Sequence, residues 1–392
     1  MAPLGRDTRV SGTLSGLRVI ESSRGAAAAY AGRLLAVCGA EVTMVEPPGG
    51  TPLRRVPPFV GEDSSVSALF AYLAAGKSSA VCDLMEADGR GRLDGLLRDA
   101  DVLIDDTPVD ERLRVALDPE RIARDFPNLV FTSILPFGAF GPRAHWRATE
   151  LCNLHAGGEG YLMPNGLANE LFPGRPPVKI YGEFASYQGG TSAAIASIAA
   201  LLARSSAGGQ FVDVSIQDAN VLEGTIAIQR WNDGVLETRP TRAFRYGGVL
   251  ECRDGYVEVL TLEAHQWRAL VQLAGDTGWA ASGEYDDPLE RGRRGAEINQ
   301  HLRAWAKDRF VEEIVRRGRE LGVPIAAYAS PLEVLNDAHE RERGAFVQIP
   351  IGNDVAQTLL AAFQFSATPA ALAGGPPALD SYSGQTVEAS YA

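Results

Sequence analysis

A chain of 392 residues is too long for one ordinary hydrophobic core, so two domains are expected. Its 45% hydrophobic and 22% charged residues are those of a globular protein, and no apolar run reaches the roughly 18 residues of a membrane span. A net charge of −12 argues against a nucleic-acid partner, which needs a basic face, while leaving room for a local Arg/Lys cluster that holds an anion.

The first residues carry no apolar stretch of the kind a signal peptide needs. Cys38, Cys82, Cys152 and Cys252 are far apart and form no Cys-x-x-Cys pair, so neither a disulfide framework nor a zinc site is expected. The expectation is a cytoplasmic protein with buried thiols and no metal.

Residues 17–21 read as a buried strand, 25–38 as a helix stopped by Gly39, and 41–45 as a second strand. The pattern repeats: strands at 79–83, 102–104 and 129–134 alternate with helices at 87–99 and 119–126, the latter capped by Asp118 with Pro119 at its first position. Alternating units of this kind imply an α/β, Rossmann-like layer around a parallel sheet. No Gly-x-Gly-x-x-Gly follows the first strand, so no dinucleotide fingerprint is present.

Further on, helices are expected at 148–156, 191–204 and 217–231, a loop at 157–177 and a strand at 211–216. Residues 233–248 are polar and turn-rich, as a linker is. Beyond it, Asp254-Gly255 between apolar runs signals a hairpin over 249–260. Helices at 264–275, 297–307, 311–321 and 331–343 and a strand at 325–328 complete a smaller α+β unit. The expected division is a large α/β domain over 1–232, to which 351–392 returns, and a small α+β domain over 233–350.

The stretch from Pro176 to Asp218 draws most attention. It reads as an irregular segment, then a small-residue helix from Thr191, a Gly turn and a strand. Backbone N–H groups are unpaired where a loop meets a helix start, so the functional site is placed at residues 183–190. Ser186 is either a nucleophile or a filler of space, and Glu183 either a catalytic carboxylate or a loop surface group. Tyr181, Phe184 and Tyr187 line a pocket of aromatic character or belong to the core. Arg24, after the first strand, meets a phosphate or makes a surface salt bridge. Arg54, Arg55 and Lys77 bind phosphates or sit on a solvated face. Gly138 and Gly141 allow close backbone approach or serve a plain turn.

Four blocks, in order, resemble one family. Residues 14–54, LSGLRVIESSRGAAAAYAGRLLAVCGAEVTMVEPPGGTPLR, are similar to the N-terminal signature of the family III CoA-transferases, also called CaiB/BaiF. Gly76-Lys77-Ser78-Ser79 with Asp83-Leu84 resembles the second block, Ser133-Ile134 with Phe137-Gly138 and Gly141-Pro142 the third, and residues 209–219 the fourth. The resemblance implies an inserted small domain and an interlocked dimer, each chain threading the ring of the other. It implies transfer of CoA between an acyl-CoA and a carboxylic acid by an Asp carboxylate. It implies CoA contacts at Val19, Arg24, Arg54, Lys77, Asp106, Gly138 and Gly141.

Two departures stand out. Alignment on Pro177-Val178 and Gly190 puts Ser186 where the family has its Asp, with Glu183 the nearest carboxylate and no general base evident beside the hydroxyl. The racemases of the same fold use a His and an Asp, and the His position falls near Thr149. At the end of the strand over 102–104, Asp105-Asp106-Thr107-Pro108 loses the family's Arg and gains acids. The resemblance then implies a subunit without the nucleophile in a heteromeric transferase, with an Asp-bearing paralogue or a second copy as partner. Its alternatives are a CoA-ester-binding scaffold, or an isomerase or lyase using Glu183.

Overall fold

A computed structural model of the chain describes residues 12–61, 65–163, 172–176, 178–223, 246–275, 278–280 and 283–382. It divides into two compact units. The first is Met1–Glu159, Lys179–Thr225 and Ala338–Ala392, and the second is Gly160–Val178 with Ile226–Asp337.

The first unit is built on six strands: β1 (Arg18–Ser22), β2 (Glu41–Glu46), β3 (Ser78–Val81), β4 (Val102–Asp105), β5 (Val130–Leu135) and β6 (Phe211–Ser215). They lie in the order β3-β2-β1-β4-β5-β6, every neighbouring pair parallel, which is the doubly wound arrangement expected from the alternating pattern. The helices are α1 (Ala26–Val37), α2 (Ala68–Ala74), α3 (Ala87–Leu97), α4 (Pro119–Asp125), α5 (Glu150–Ala156), α6 (Phe184–Ala207) and α7 (Ile216–Glu223).

Side chains alternate between the two faces of a strand. Ile20, Val45, Leu103 and Phe131 join Leu93, Leu97 and Ile122 of α3 and α4 in one buried cluster. On the other face, Met44 packs with Ala26 and Ala29 of α1 and Phe70 and Leu73 of α2. A buried bond between Thr132 Oγ1 and Ser197 Oγ, 2.7 Å long, ties α6 to β5. Small residues let α1 and α6 pack closely: a Cβ on Gly190 would stand 2.6 Å from the Ala27 carbonyl oxygen.

The second unit holds an antiparallel sheet of β7 (Gly248–Glu251), β8 (Tyr256–Val259) and β9 (Ile325–Ala327). Over it pack α8 (Ala264–Ala274), α10 (Gly295–Ala306) and α11 (Val311–Leu321) through Trp267, Leu270, Ile298, Leu302 and Ile314. Helix α9 (Pro288–Arg293) was not anticipated; Asp287 caps it and Pro288 opens it. The single helix expected over 331–343 is broken at Asp337, whose extended backbone separates α12 (Pro331–Asn336) from α13 (Ala338–Glu342).

The chain rejoins the first unit at Ala338 rather than at 351. There β10 (Phe346–Ile351) and β11 (Asp354–Leu359) form a hairpin whose Ile349 and Ile351 pack on Ala71 and Ala75. The C-terminal segment then runs along β3, the edge strand. Tyr382 N donates to Ser79 O, Val81 N to Asp380 Oδ1 at 2.9 Å, and Arg92 pairs with Asp380 at 2.8 Å. All four cysteines are free; Cys82 and Cys252 are buried as expected, but Cys152 is exposed and Cys38 partly so. Among the described residues no helix is long and apolar enough to cross a membrane. Of the expected linker over 233–248, residues 233–245 lie outside the described residues, as do 224–231 of the helix expected over 217–231; Gly248 already opens β7.

Candidate active site

The segment singled out in the sequence is not the irregular loop it resembles. Helix α6 begins at Phe184, seven residues before Thr191, so Ser186 stands in its first turn and Glu183 at its N-cap. Gly189-Gly190 looks helix-breaking, yet both glycines serve packing. A Cβ on Gly189 would lie 2.8 Å from Ile216 Cγ1 of α7, and Gly190 faces α1. Asn220 of α7 fixes the helix start from the side, its Nδ2 donating to Ala185 O at 3.1 Å and Ile216 O at 2.7 Å.

The unpaired N–H groups of the first turn are met by Glu150, at the start of α5. Its Oε1 accepts from Ala185 N at 2.7 Å, and its Oε2 accepts from Ser186 N at 3.0 Å and Ser186 Oγ at 2.8 Å. Ser186 is only 7% exposed, and its Oγ also lies 3.2 Å from Glu183 Oε2. Burial, then the charge of Glu150, pushes the Glu183 carboxyl up from its ordinary value, opposed by Ser186 and Lys179. Glu150 is the residue the sequence did not reveal. It lies 36 positions from Ser186, and only its place in the first turn of a short expected helix marked it as an N-terminal acid.

Tyr187 turns away from Ser186 toward Tyr30 and Tyr72, with ring centroids 4.5 and 6.2 Å away. These rings edge the cluster of α1 and α2, so Tyr187 belongs to packing, whereas Tyr181 is 93% exposed. Burial raises the Tyr30 phenol to about 12, which keeps it neutral.

The expected CoA contacts fall into separate groups. Asp106, at the end of β4, accepts from Arg24 N at 2.9 and 3.0 Å and from Gly25 N at 2.7 Å, closing the turn that opens α1. Burial and the neighbouring charge of Asp105 outweigh these donors and raise Asp106 to about 7. Arg24 makes the surface salt bridge, to Glu111 at 2.7 Å. Gly138, at φ +76°, allows Asp213 to approach: a Cβ there would stand 2.9 Å from Asp213 Oδ2, while Ala139 N donates to Asp213 Oδ1. Gly141, at φ +86°, has open space around its Cα and serves the turn.

Three expectations are corrected. Lys77 is neither on a solvated face nor free to meet a phosphate, because its ammonium is wholly buried against Glu21 Oε2 at 2.5 Å and Ala29 O at 2.7 Å. Arg54 is committed to both oxygens of buried Glu46 at 2.7 Å and to Pro377 O. Val19 is fully buried in the central strand, its side chain enclosed by the core. Arg24 and Arg55 remain the surface cations of the expected set. Among the described residues no group of three or more His, Cys, Asp or Glu side chains is placed to hold a metal ion. The second unit carries an open cleft of about 950 Å³ lined by Tyr256, Arg316, Arg319 and Tyr328; the Asp254-Gly255 turn lies on it, and none of the candidate catalytic or CoA-contact residues does.

Known proteins place this arrangement. A CaiB/BaiF family protein from Brucella suis superposes with a TM-score of 0.84 at 25% identity, over 95% of this chain and 97% of that one. Probable CoA-transferase Rv1866 of Mycobacterium tuberculosis is 30% identical over 361 residues, which are 87% of this chain but 44% of that protein. The succinyl-CoA:(R)-benzylsuccinate CoA-transferase subunit BbsE of Thauera aromatica is 31% identical over 253 residues, 63% of this chain and 60% of its own. The chain thus spans about half the length of these two relatives. The sequence profile of CoA-transferase family III matches residues 14–382, nearly the whole chain, and the chain belongs to that family.

Proposed function

We propose that this chain takes part in CoA transfer between an acyl-CoA and a carboxylic acid, as the subunit of a heteromeric transferase that lacks the nucleophilic aspartate. The observation that carries this reading is the state of Ser186. In the transfer reaction a carboxylate attacks the donor thioester carbonyl and CoA leaves as thiolate. The thiolate then attacks the enzyme's own carbonyl of the anhydride, the donor acid leaves, and the acceptor carboxylate takes CoA from the enzyme thioester by the same two steps in reverse. A hydroxyl at that position has to lose its proton first. The Ser186 hydroxyl donates to Glu150, whose two oxygens are already engaged by the Ala185 and Ser186 backbone N–H groups, so this carboxylate is occupied in holding the helix start.

The partner in this reading is an Asp-bearing paralogous chain in an interlocked dimer, with the small domain inserted in the large one, in the cytoplasm. That a relative is itself named as a CoA-transferase subunit, with succinyl-CoA as donor, supports the pairing. CoA would enter as substrate, its phosphates near Arg24 and Arg55. The test is transfer from succinyl-CoA by the chain alone and with an Asp-bearing paralogue. No transfer alone, transfer in the pair, and an unimpaired Ser186→Ala pair are expected. Full activity of the isolated chain, or its loss in Ser186→Ala, overturns the reading. CoA-ester binding without turnover in any pairing would leave a scaffold.

A second reading, isomerase or lyase chemistry with Glu183 as base, draws on its half-buried carboxyl of raised pKa. Full activity in Glu183→Gln would remove it.

A further inference from the structure

Ser186 has one hydroxyl proton and two carboxylate oxygens within reach, Glu150 Oε2 at 2.8 Å and Glu183 Oε2 at 3.2 Å. It can donate to only one. Glu150 is the shorter contact, and its other bonds all come from N–H donors, so it is the acceptor. The contact to Glu183 is then a hydrogen bond only if Glu183 carries a proton and donates it to Ser186 Oγ. With Glu183 ionised, two negative charges would face one another across a hydroxyl that can satisfy one of them.

The surrounding groups agree with this assignment. Lys179 is the nearest cation, but its ammonium is turned to the carbonyl oxygens of Ile180, at 3.1 Å, and Gly182. On α6 itself the next titratable group is Tyr187, and beyond it stand the phenols of Tyr30 on α1 and Tyr72 on α2, with buried Arg33 against the Tyr72 ring. From α7 the neighbour is the uncharged Asn220. Gly182, directly before Glu183, adopts a φ of +89°.

We propose that Glu183 holds a proton in its contact with the Ser186 hydroxyl, opposite Glu150, and that loss of this proton releases the first turn of α6. In the protonated state the helix start carries one negative charge and is clamped by Glu150. In the ionised state it carries two, and repulsion works against the same Glu150 bonds that hold Ala185 N and Ser186 N. Glu150 is thereby a positioning residue and Glu183 the group that sets its grip. The device belongs to the chain alone and stands whether or not CoA transfer is its activity.

Two measurements on the full chain test it. With glutamate labelled at the carboxyl carbon, NMR titration should show Glu183 ionising above the ordinary glutamate range, and Glu150→Gln should move that transition down. Amide exchange at Ala185 and Ser186, corrected for intrinsic base catalysis, should rise through the same transition by about tenfold or more, the factor one unit of pKa represents. In Glu183→Gln, whose amide donates permanently to Ser186, protection should stay constant with pH. A Glu183 transition in the ordinary range, one unmoved by Glu150→Gln, or exchange with the same pH dependence in Glu183→Gln would overturn the proposal.

Discussion

Replacing Lys77 by Met keeps the stem and removes the charge from a pair that is wholly buried on both sides. Glu21 would keep Ser23 Oγ as a donor, at 2.7 Å, and lose the ammonium. The Ala29 carbonyl would lose its lysine donor as well. Breaking one side of such a pair costs about 3–5 kcal/mol, roughly a fifth or more of the total stability of an ordinary domain. The loss must depend on pH. Burial already raises the Glu21 carboxyl, and Lys77 is its largest opposing influence. Without Lys77 the folded state binds the proton of Glu21 more tightly than the unfolded state does. Stability of the variant therefore falls as pH rises from the unfolded glutamate value upward. Urea unfolding followed by circular dichroism should show the full loss at pH 8 and a smaller one at pH 5. Glu21→Gln combined with Lys77→Met should recover part of it. A loss below about 1 kcal/mol at pH 8, or an equal loss at both pH values, would refute the argument.

Other outcomes follow from the same geometry. Asp106 is raised from 3.8 to about 7, so the folded state holds its proton and stability declines as pH rises between those values. Asp106→Asn should flatten that decline, with a gain on the order of 2–4 kcal/mol at pH 8 measured by thermal unfolding. Gly190→Ala puts a Cβ 2.6 Å from a backbone oxygen and should cost about 1–3 kcal/mol by urea unfolding. Asp380→Ala removes an acceptor for Val81 N and a half-exposed ion pair, and should speed amide exchange at Val81 with only a small loss of overall stability.

The strand–helix alternation of the first unit was legible because each element announces itself locally. Residues 17–21 and 41–45 are apolar runs, Gly39 ends a helix, and Asp118-Pro119 starts one. What was hidden is what depends on a distant partner. Glycines at 189 and 190 read as breaks, since only the presence of Ile216 and Ala27 shows that the space they leave is filled. The hairpin at 346–359 was missed because Pro350 interrupts an otherwise alternating strand, and Pro in a strand is tolerated only where its missing N–H is not needed. At the site, the serine was found by comparison with the family pattern. Its carboxylate neighbour was not, because a contact across 36 residues leaves no spacing to read. Lys77 was misjudged for the related reason that a lysine's usual place is the surface, and only a matched acid overrides that.

The stitching of residues 380–382 onto β3 has a consequence for biosynthesis. Val81 and its partner Asp380 are 299 positions apart. At the usual ribosomal pace of about 5–20 residues per second, the outer edge of β3 waits roughly 15–60 s for its cover. During that interval a growing chain offers an unguarded row of backbone donors and acceptors to any neighbour on the same message. Chains that stall or are cut before residue 380 never lose that liability. The yield of folded protein should therefore respond to translation speed and to damage at the last dozen described residues.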